Sequence, residues 1–210
     1  PVLADVDGDR KPELYVGGGL HHFYRVDLST AEAVLVENVH LHVNSAISAA
    51  DLDGDGCDEV LFGNKNGGIW CYGKDGFRWT ATFRKSGFYS APLFHDLNDD
   101  GRLEVLFPSI DGDIQYLDAD GHSLGEQLLG FRMGNPPLVG DWNGDGKLDA
   151  LVTVDTQLSR GGGGIHFVNL GFALGKTIAE TQFFSGNRTC SGLVTKPESF
   201  ETVALPEAKD

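Results

Sequence analysis

No apolar run in this sequence approaches the roughly 20 residues that a helix needs to cross a bilayer, so membrane contact is expected only through segments outside the chain. No secretory leader pattern is visible. A chain that opens on Pro1 reads as processed or as a piece of something larger. Basic residues are scarce: 16 Lys and Arg stand against 31 Asp and Glu, for a formal charge of −15. Phosphate backbones need a basic face, so nucleic acid is excluded as an expected partner. Cysteine is limited to Cys57, Cys71 and Cys190, and an odd count provides no closed disulfide framework. Long amphipathic helical patterns are missing, and so is a G-x-S-x-G nucleophile elbow. The run Gly161 to Gly164 has no G-K-[ST] behind it and reads as a turn, not a phosphate loop.

What is present is glycine, 29 residues of it, punctuating short β-branched and aromatic runs. With 40% hydrophobic residues the chain has enough apolar surface to fold. The punctuation predicts an all-β protein. Four stretches repeat one pattern: "ADVDGDRKPELYVGG", "ADLDGDGCDEVLFGN", "HDLNDDGRLEVLFPS" and "GDWNGDGKLDALVTV". Their first aspartates are Asp5, Asp51, Asp96 and Asp141, spaced 46, 45 and 45 residues apart. A short segment of small and apolar residues precedes each loop, and a β-type run follows it. An alternating segment comes next ("HFYRV", "GIWCY", "DIQYL", "GIHFV"), and two copies then carry hairpin signals at Asp75-Gly76 and Asp120-Gly121. Each unit therefore reads as strand A, acidic loop, strand B, turn, strand C, tight turn, strand D. Four strands in about 45 residues is the size of a propeller blade. Trp70 and Trp79 are expected to pack between blades, and Trp142, at position 2 of the fourth loop, to have a structural role.

Sixteen of the 31 acidic residues lie in the four nine-residue loops, 5–13, 51–59, 96–104 and 141–149. Counting from the first aspartate, positions 1, 3 and 5 are Asp5, Asp7 and Asp9; Asp51, Asp53 and Asp55; Asp96, Asn98 and Asp100; Asp141, Asn143 and Asp145. Position 9 is Glu13, Glu59, Glu104 or Asp149. Alternate oxygen-bearing side chains on a tightly turning backbone converge on one point, and Ca²⁺ takes 6–8 oxygens at about 2.3–2.6 Å in irregular geometry. Position 7, which is Lys11, Cys57, Arg102 or Lys147, can add a backbone carbonyl. The expectation is up to four Ca²⁺. One such stretch alone would also fit a solvated Asx-rich turn; four in register between the same flanks favour metal. An EF-hand needs a Glu at position 12, where this chain has Val16, Phe62, Phe107 and Val152. Mg²⁺ fits less well, because it prefers rigid octahedral geometry.

These loops, each leading into a strand at blade spacing, resemble the FG-GAP (VCBS-type) repeats found in the propellers of integrin α chains and of many secreted or surface proteins. The resemblance spans residues 1–185. It implies a propeller of four-stranded blades with Ca²⁺ in the A–B loops. Such propellers commonly have about seven blades, so the four visible here imply part of a larger ring. Residues 186–210 lose the repeat and read as a linker or part of a further blade. Two departures stand out: Arg10 occupies position 6 of loop 1, where glycine is usual, and Asp99 occupies position 4 of loop 3.

Antiparallel succession puts A–B and C–D loops at one end of the blades and B–C and D–A connections at the other. The second end is expected to present His40, His42, Arg84, Lys85, Phe88, Tyr89, Phe131 and Arg132, with aromatic and Arg residues the types that anchor recognition surfaces. Of these, Arg84, Lys85, Arg132, His40 and His42 are the candidate partner-binding residues. Phe88 and Tyr89 adjoin strand A, which also predicts core positions for both. His40 and His42 lack the third ligand of a zinc site. Asn187-Arg188-Thr189 is a glycosylation sequon at Asn187. The leading expectation is a non-catalytic binding or adhesion module for a protein or glycan, part of an extracellular or cell-surface protein. A polysaccharide lyase acting on acidic sugars, through Arg84, Lys85 and Arg132, and a scaffold subunit of a large assembly are the alternatives.

Overall fold

The computed structural model describes residues 1–18, 22–38, 43–83, 87–129, 132–133, 135–154 and 164–173. Every regular element in them is a strand. The first sheet holds β1 (Val2–Ala4), β2 (Glu13–Gly17), β3 (His22–Val26) and β4 (Ala33–Asn38) in that order. The second holds β5 (Ser48–Ala50), β6 (Glu59–Gly63), β7 (Gly68–Gly73) and β8 (Gly76–Thr82). The third holds β9 (Leu93–His95), β10 (Glu104–Pro108), β11 (Asp113–Leu117) and β12 (Ser123–Leu128). The fourth holds β13 (Leu138–Gly140), β14 (Lys147–Val154) and β15 (Gly164–Ala173), three strands among the described residues. All pairs are antiparallel meanders, so each sheet is one propeller blade, as the repeat predicts. Gly76 and Gly121 take positive φ (110° and 82°) in the predicted hairpins.

Three apolar slabs lie between consecutive blades. Successive side chains on a strand point to opposite faces, so one strand can serve two slabs. On β6, Val60 and Phe62 join Val2, Tyr15 and Phe23 of the first blade, while Leu61 joins Val105, Phe107 and Leu117 of the third. That double duty explains why "EVLFG" is apolar without alternation and buried throughout. The third slab joins Leu106, Ile114 and Tyr116 to Leu148, Ala150 and Val152. Trp70 stacks on Phe62 at 5.8 Å toward the first blade, and Trp79 donates its Nε1–H to the Ala119 carbonyl of the third at 2.9 Å. Both tryptophans thus sit between blades, as expected.

The D–A connections plug the gaps between blades. Phe88 lies over Gly63 at the end of β6, where a Cβ would come within 2.7 Å of the Phe88 Cβ. Val43 sits over Gly17 at the end of β2 in the same way, with 2.5 Å to the Val43 Cγ1. Of the exposed and core readings given to both residues, Phe88 takes the core one at 1% exposure, against the expectation of a surface role, and Tyr89 the exposed one at 44%.

His40, His42, Arg84, Lys85, Phe131, Asn187, Cys190 and the tail 186–210 lie outside the described residues. Among the described residues, no helix is long and apolar enough to cross a membrane.

Candidate metal centre

The four acidic loops join β1 to β2, β5 to β6, β9 to β10 and β13 to β14, all at one end of the blades. The carboxylate at position 1 organises each turn. Asp51 accepts the amides of Gly54 and Asp55 on Oδ1 (2.8 and 3.1 Å) and that of Gly56 on Oδ2 (2.9 Å). Asp141 repeats this with Gly144, Asp145 and Gly146 (2.7, 3.1 and 3.0 Å). Asp96 takes Asp100 and Gly101, and Asp5 takes Arg10 at 2.8 Å. Position 3 accepts the amide of position 5 in every loop: Asp7 from Asp9, Asp53 from Asp55, Asn98 from Asp100 and Asn143 from Asp145. Position 5 accepts the amide of position 7: Asp9 from Lys11, Asp55 from Cys57, Asp100 from Arg102 and Asp145 from Lys147, at 2.8 to 2.9 Å.

Winding the chain this tightly forces left-handed backbone. Glycine supplies it at Gly54, Gly56, Gly144 and Gly146, whereas Arg10 (φ 68°) and Asp99 (φ 63°) adopt it with a side chain in place. The two sequence departures therefore keep the loop's shape at a local steric cost.

Position 9 reaches back across the loop. Glu13, Glu59 and Glu104 each accept the position 2 amide on Oε2, from Val6 (3.4 Å), Leu52 (2.9 Å) and Leu97 (2.6 Å). The extra methylene of Glu is what spans that gap. Burial pushes the Glu59 carboxyl up, partly offset by the Leu52 amide and Arg78. Burial also raises Glu104, with Asp100 and Asp96 adding to it, and raises Glu13, with Asp7 adding to it. Ionised and close together, these groups cost the folded state free energy that a cation would remove. In loop 4 the residue is Asp149, one methylene shorter and fully buried. Its Oδ1 accepts from Asn169 Nδ2 at 3.2 Å, while its Oδ2 has no partner.

Three loops bring carboxylate oxygens within 4.8 Å of one another: Asp5, Asp7 and Asp9; Asp51, Asp53 and Glu59; Asp141, Asp145 and Asp149. Buried Asp5 leaves Oδ1 without a partner, as Asp149 leaves Oδ2. A buried carboxylate oxygen with no donor is expensive, and both oxygens belong to clusters of the donor type that Ca²⁺ takes. In loop 3 the Asn98 Nδ2 lies between Asp100 Oδ2 and Glu104 Oε1, 3.0 Å from each. In loop 2 a guanidinium enters: Arg78 lies 2.6 Å from Glu59 Oε1 and 2.8 Å from Asp53 Oδ2. Burial works against the Arg78 charge, but those two carboxylates outweigh it and hold the group protonated.

Sequence reading missed Arg78 as a member of loop 2. It also gave Asp58, at position 8 of the loop, no place among the ligands. Asp58 ties loop 2 to loop 1: its Oδ2 accepts the Asp5 amide and its own amide donates to the Asp5 carbonyl, both at 2.8 Å. Leu103, at the same position of loop 3, donates to the Leu52 carbonyl at 2.9 Å. Loops 1, 2 and 3 thus form a hydrogen-bonded stair from blade to blade. Asp58→Ala, which strands the Asp5 amide, is expected to cost about 1–2 kcal/mol in urea unfolding. An unchanged midpoint would remove the stair from the account.

At the opposite end Arg132 is half-buried and its Nε is buried without a partner. Tyr89, Leu128 and Ile165 are large apolar residues exposed near that end.

Comparison with known proteins bears on the repeat. Residues 45–107 match the family model of the FG-GAP-like repeat. That span runs from just before β5 to the end of the β10 apolar run and holds loops 2 and 3 whole. No curated protein matches the chain. Among solved structures, BBS1N in complex with ARL6DN, soaked with mercury, is similar at 12% identity and a TM-score of 0.49, covering 78% of this chain and 49% of that one. The europium-containing methanol dehydrogenase is similar at 16% identity and a TM-score of 0.47, covering 77% and 39%. BamB from Moraxella catarrhalis is similar at 14% identity and a TM-score of 0.43, covering 66% and 37%. The chain spans about half or less of the length of these structures.

Proposed function

We propose that this array of FG-GAP-like blades is a calcium-stabilised binding module of a larger extracellular or cell-surface protein, whose B–C and D–A end meets a protein or glycan partner. The observation that carries the calcium part is Asp149: a fully buried carboxylate whose Oδ2 has no donor and which clusters with Asp141 and Asp145. Asp5 supports the same reading in loop 1. Calcium bound there would neutralise the cluster and tie the end of strand A to the start of strand B. The ion's part is structural, and the chain's own residues fix where it sits.

Further blades beyond the four are supported by both end faces of the array. On the first blade, paired Leu3 and Leu14 share an outer face with Val16 and are only half-buried. On the fourth, Leu138, Leu151 and Phe167 pair in register on one face, beside Ile165, and Phe167 and Ile165 are exposed. Faces of this composition are what a neighbouring blade covers elsewhere in the array. They fit the ring of about seven blades that the repeat resemblance implies. The lyase reading depends on a basic cleft, and the scaffold reading on fixed partners; no specific observation favours either over the binding module.

Calcium titration by calorimetry tests the proposal. The protein is expected to bind Ca²⁺, and Asp149→Ala is expected to lose one ion per chain. Absence of binding at millimolar Ca²⁺ would overturn it.

A further inference from the structure

We propose that loop 2 is closed by a resident side-chain cation, the Arg78 guanidinium, and stays closed to calcium at concentrations that fill loops 1 and 4. The inference rests on the calcium reading for its comparison between loops. The donor inventory of loop 2 carries it. Glu59 has both oxygens occupied, Oε2 by the Leu52 amide and Oε1 by Arg78. Asp53 gives Oδ1 to the Asp55 amide and Oδ2 to Arg78. Asp51 spends both oxygens on the turn amides. Calcium entering here must first expel a guanidinium from a buried carboxylate. In loop 4 the Asp149 Oδ2 stands without any donor.

The chain is built to bring Arg78 there. Its stem crosses Gly73 at the end of β7; a Cβ at Gly73 would lie 2.9 Å from Arg78 Cδ and 3.3 Å from Glu59 Oε1. Arg78 follows Phe77, the partner of Tyr72, which ends the "GIWCY" segment of strand C as Val26 ends "HFYRV" and Leu117 ends "DIQYL". The residue at that place is Val34 in the first blade, after Val26 and Ala33, and Leu124 in the third, after Leu117 and Ser123. Both of those are exposed and uncharged. Arg78 also lies 4.0 Å from Asp120 Oδ1, and Asp120 Oδ2 is held by Arg102 at 3.1 Å. The resident cation therefore also faces the third blade, through this long ion pair to half-exposed Asp120.

Calcium stoichiometry by calorimetry tests this on the wild type and four variants. In the wild-type background, Asp53→Ala is expected to leave the number of bound ions unchanged. Arg78→Gln is expected to raise it by one, and the double variant to lose that gain. Arg78→Lys, which keeps the charge, is expected to bind the wild-type number. Loss of an ion in Asp53→Ala, or no gain in Arg78→Gln, would overturn the inference. If none of the proteins binds calcium, the calcium reading falls separately. The resident cation is then decided by melts of the same variants: a non-additive loss of Tm in the Arg78/Asp53 cycle supports it, and an additive one overturns it.

Discussion

Excess chelator is expected to lower the melting temperature by roughly 10–20 °C relative to saturating calcium. A ligand that binds only the folded state stabilises by about 2.7 kcal/mol when present at 100 times its Kd. Loops 1 and 4, with their unpartnered Asp5 and Asp149 oxygens, would together contribute about 5 kcal/mol on that basis. A domain of this length moves about 2–4 °C per kcal/mol. Asp149→Ala should retain about half of the calcium response, because loop 1 is untouched and distant sites add. Magnesium should substitute poorly, since it holds its waters and its octahedral angles. Scanning calorimetry in calcium, magnesium and EDTA measures all of this, and coincident melts in calcium and EDTA would refute the calcium account.

Much of the fold was legible because each blade is encoded locally. The loop at Asp51 to Glu59 fixes where strand A ends and strand B begins, and the same register recurs at Asp5, Asp96 and Asp141. The apolar run after each loop marked strand B, and in β6 that run is buried throughout. What could not be read were groups whose partners lie on another strand or blade. Arg78 is 19 residues from Glu59, and only the pairing of β7 with β8 and the bare Gly73 bring it into loop 2. A cue existed: C–D hairpins share the end of the blades with the acidic loops, so a basic residue just past such a hairpin faces carboxylates. Asp58 was hidden because its partner is the backbone of Asp5, 53 residues away. Nearness to strand A could not separate Phe88 from Tyr89, one of which is buried and the other 44% exposed.

Phe88→Ala is expected to cost about 3–5 kcal/mol, the range for truncating a buried Phe in a close-packed core. The side chain is 1% exposed and sits 4.6 Å, centroid to centroid, from Phe107. Its neighbourhood cannot collapse inward easily, because the backbone there is pinned: the Phe88 amide donates to Asn64 at 2.8 Å and the Gly87 amide to Lys65 at 3.0 Å. A cavity should therefore persist between the second and third blades. Gly63→Val tests the same contact from the other side, since any side chain there overlaps Phe88 and Phe107. Leu124→Ala, on the exposed outer strand β12, is the control and should stay within about 0.5 kcal/mol. Urea unfolding with an unchanged m-value measures the three, and a Phe88→Ala cost below about 1 kcal/mol would mean that this plug does not hold the blades. The plugs and the acidic loops lie at opposite ends of the blades. Loss of Phe88 and loss of calcium should therefore add. Coupling between them would show that the two ends of a blade yield as one unit.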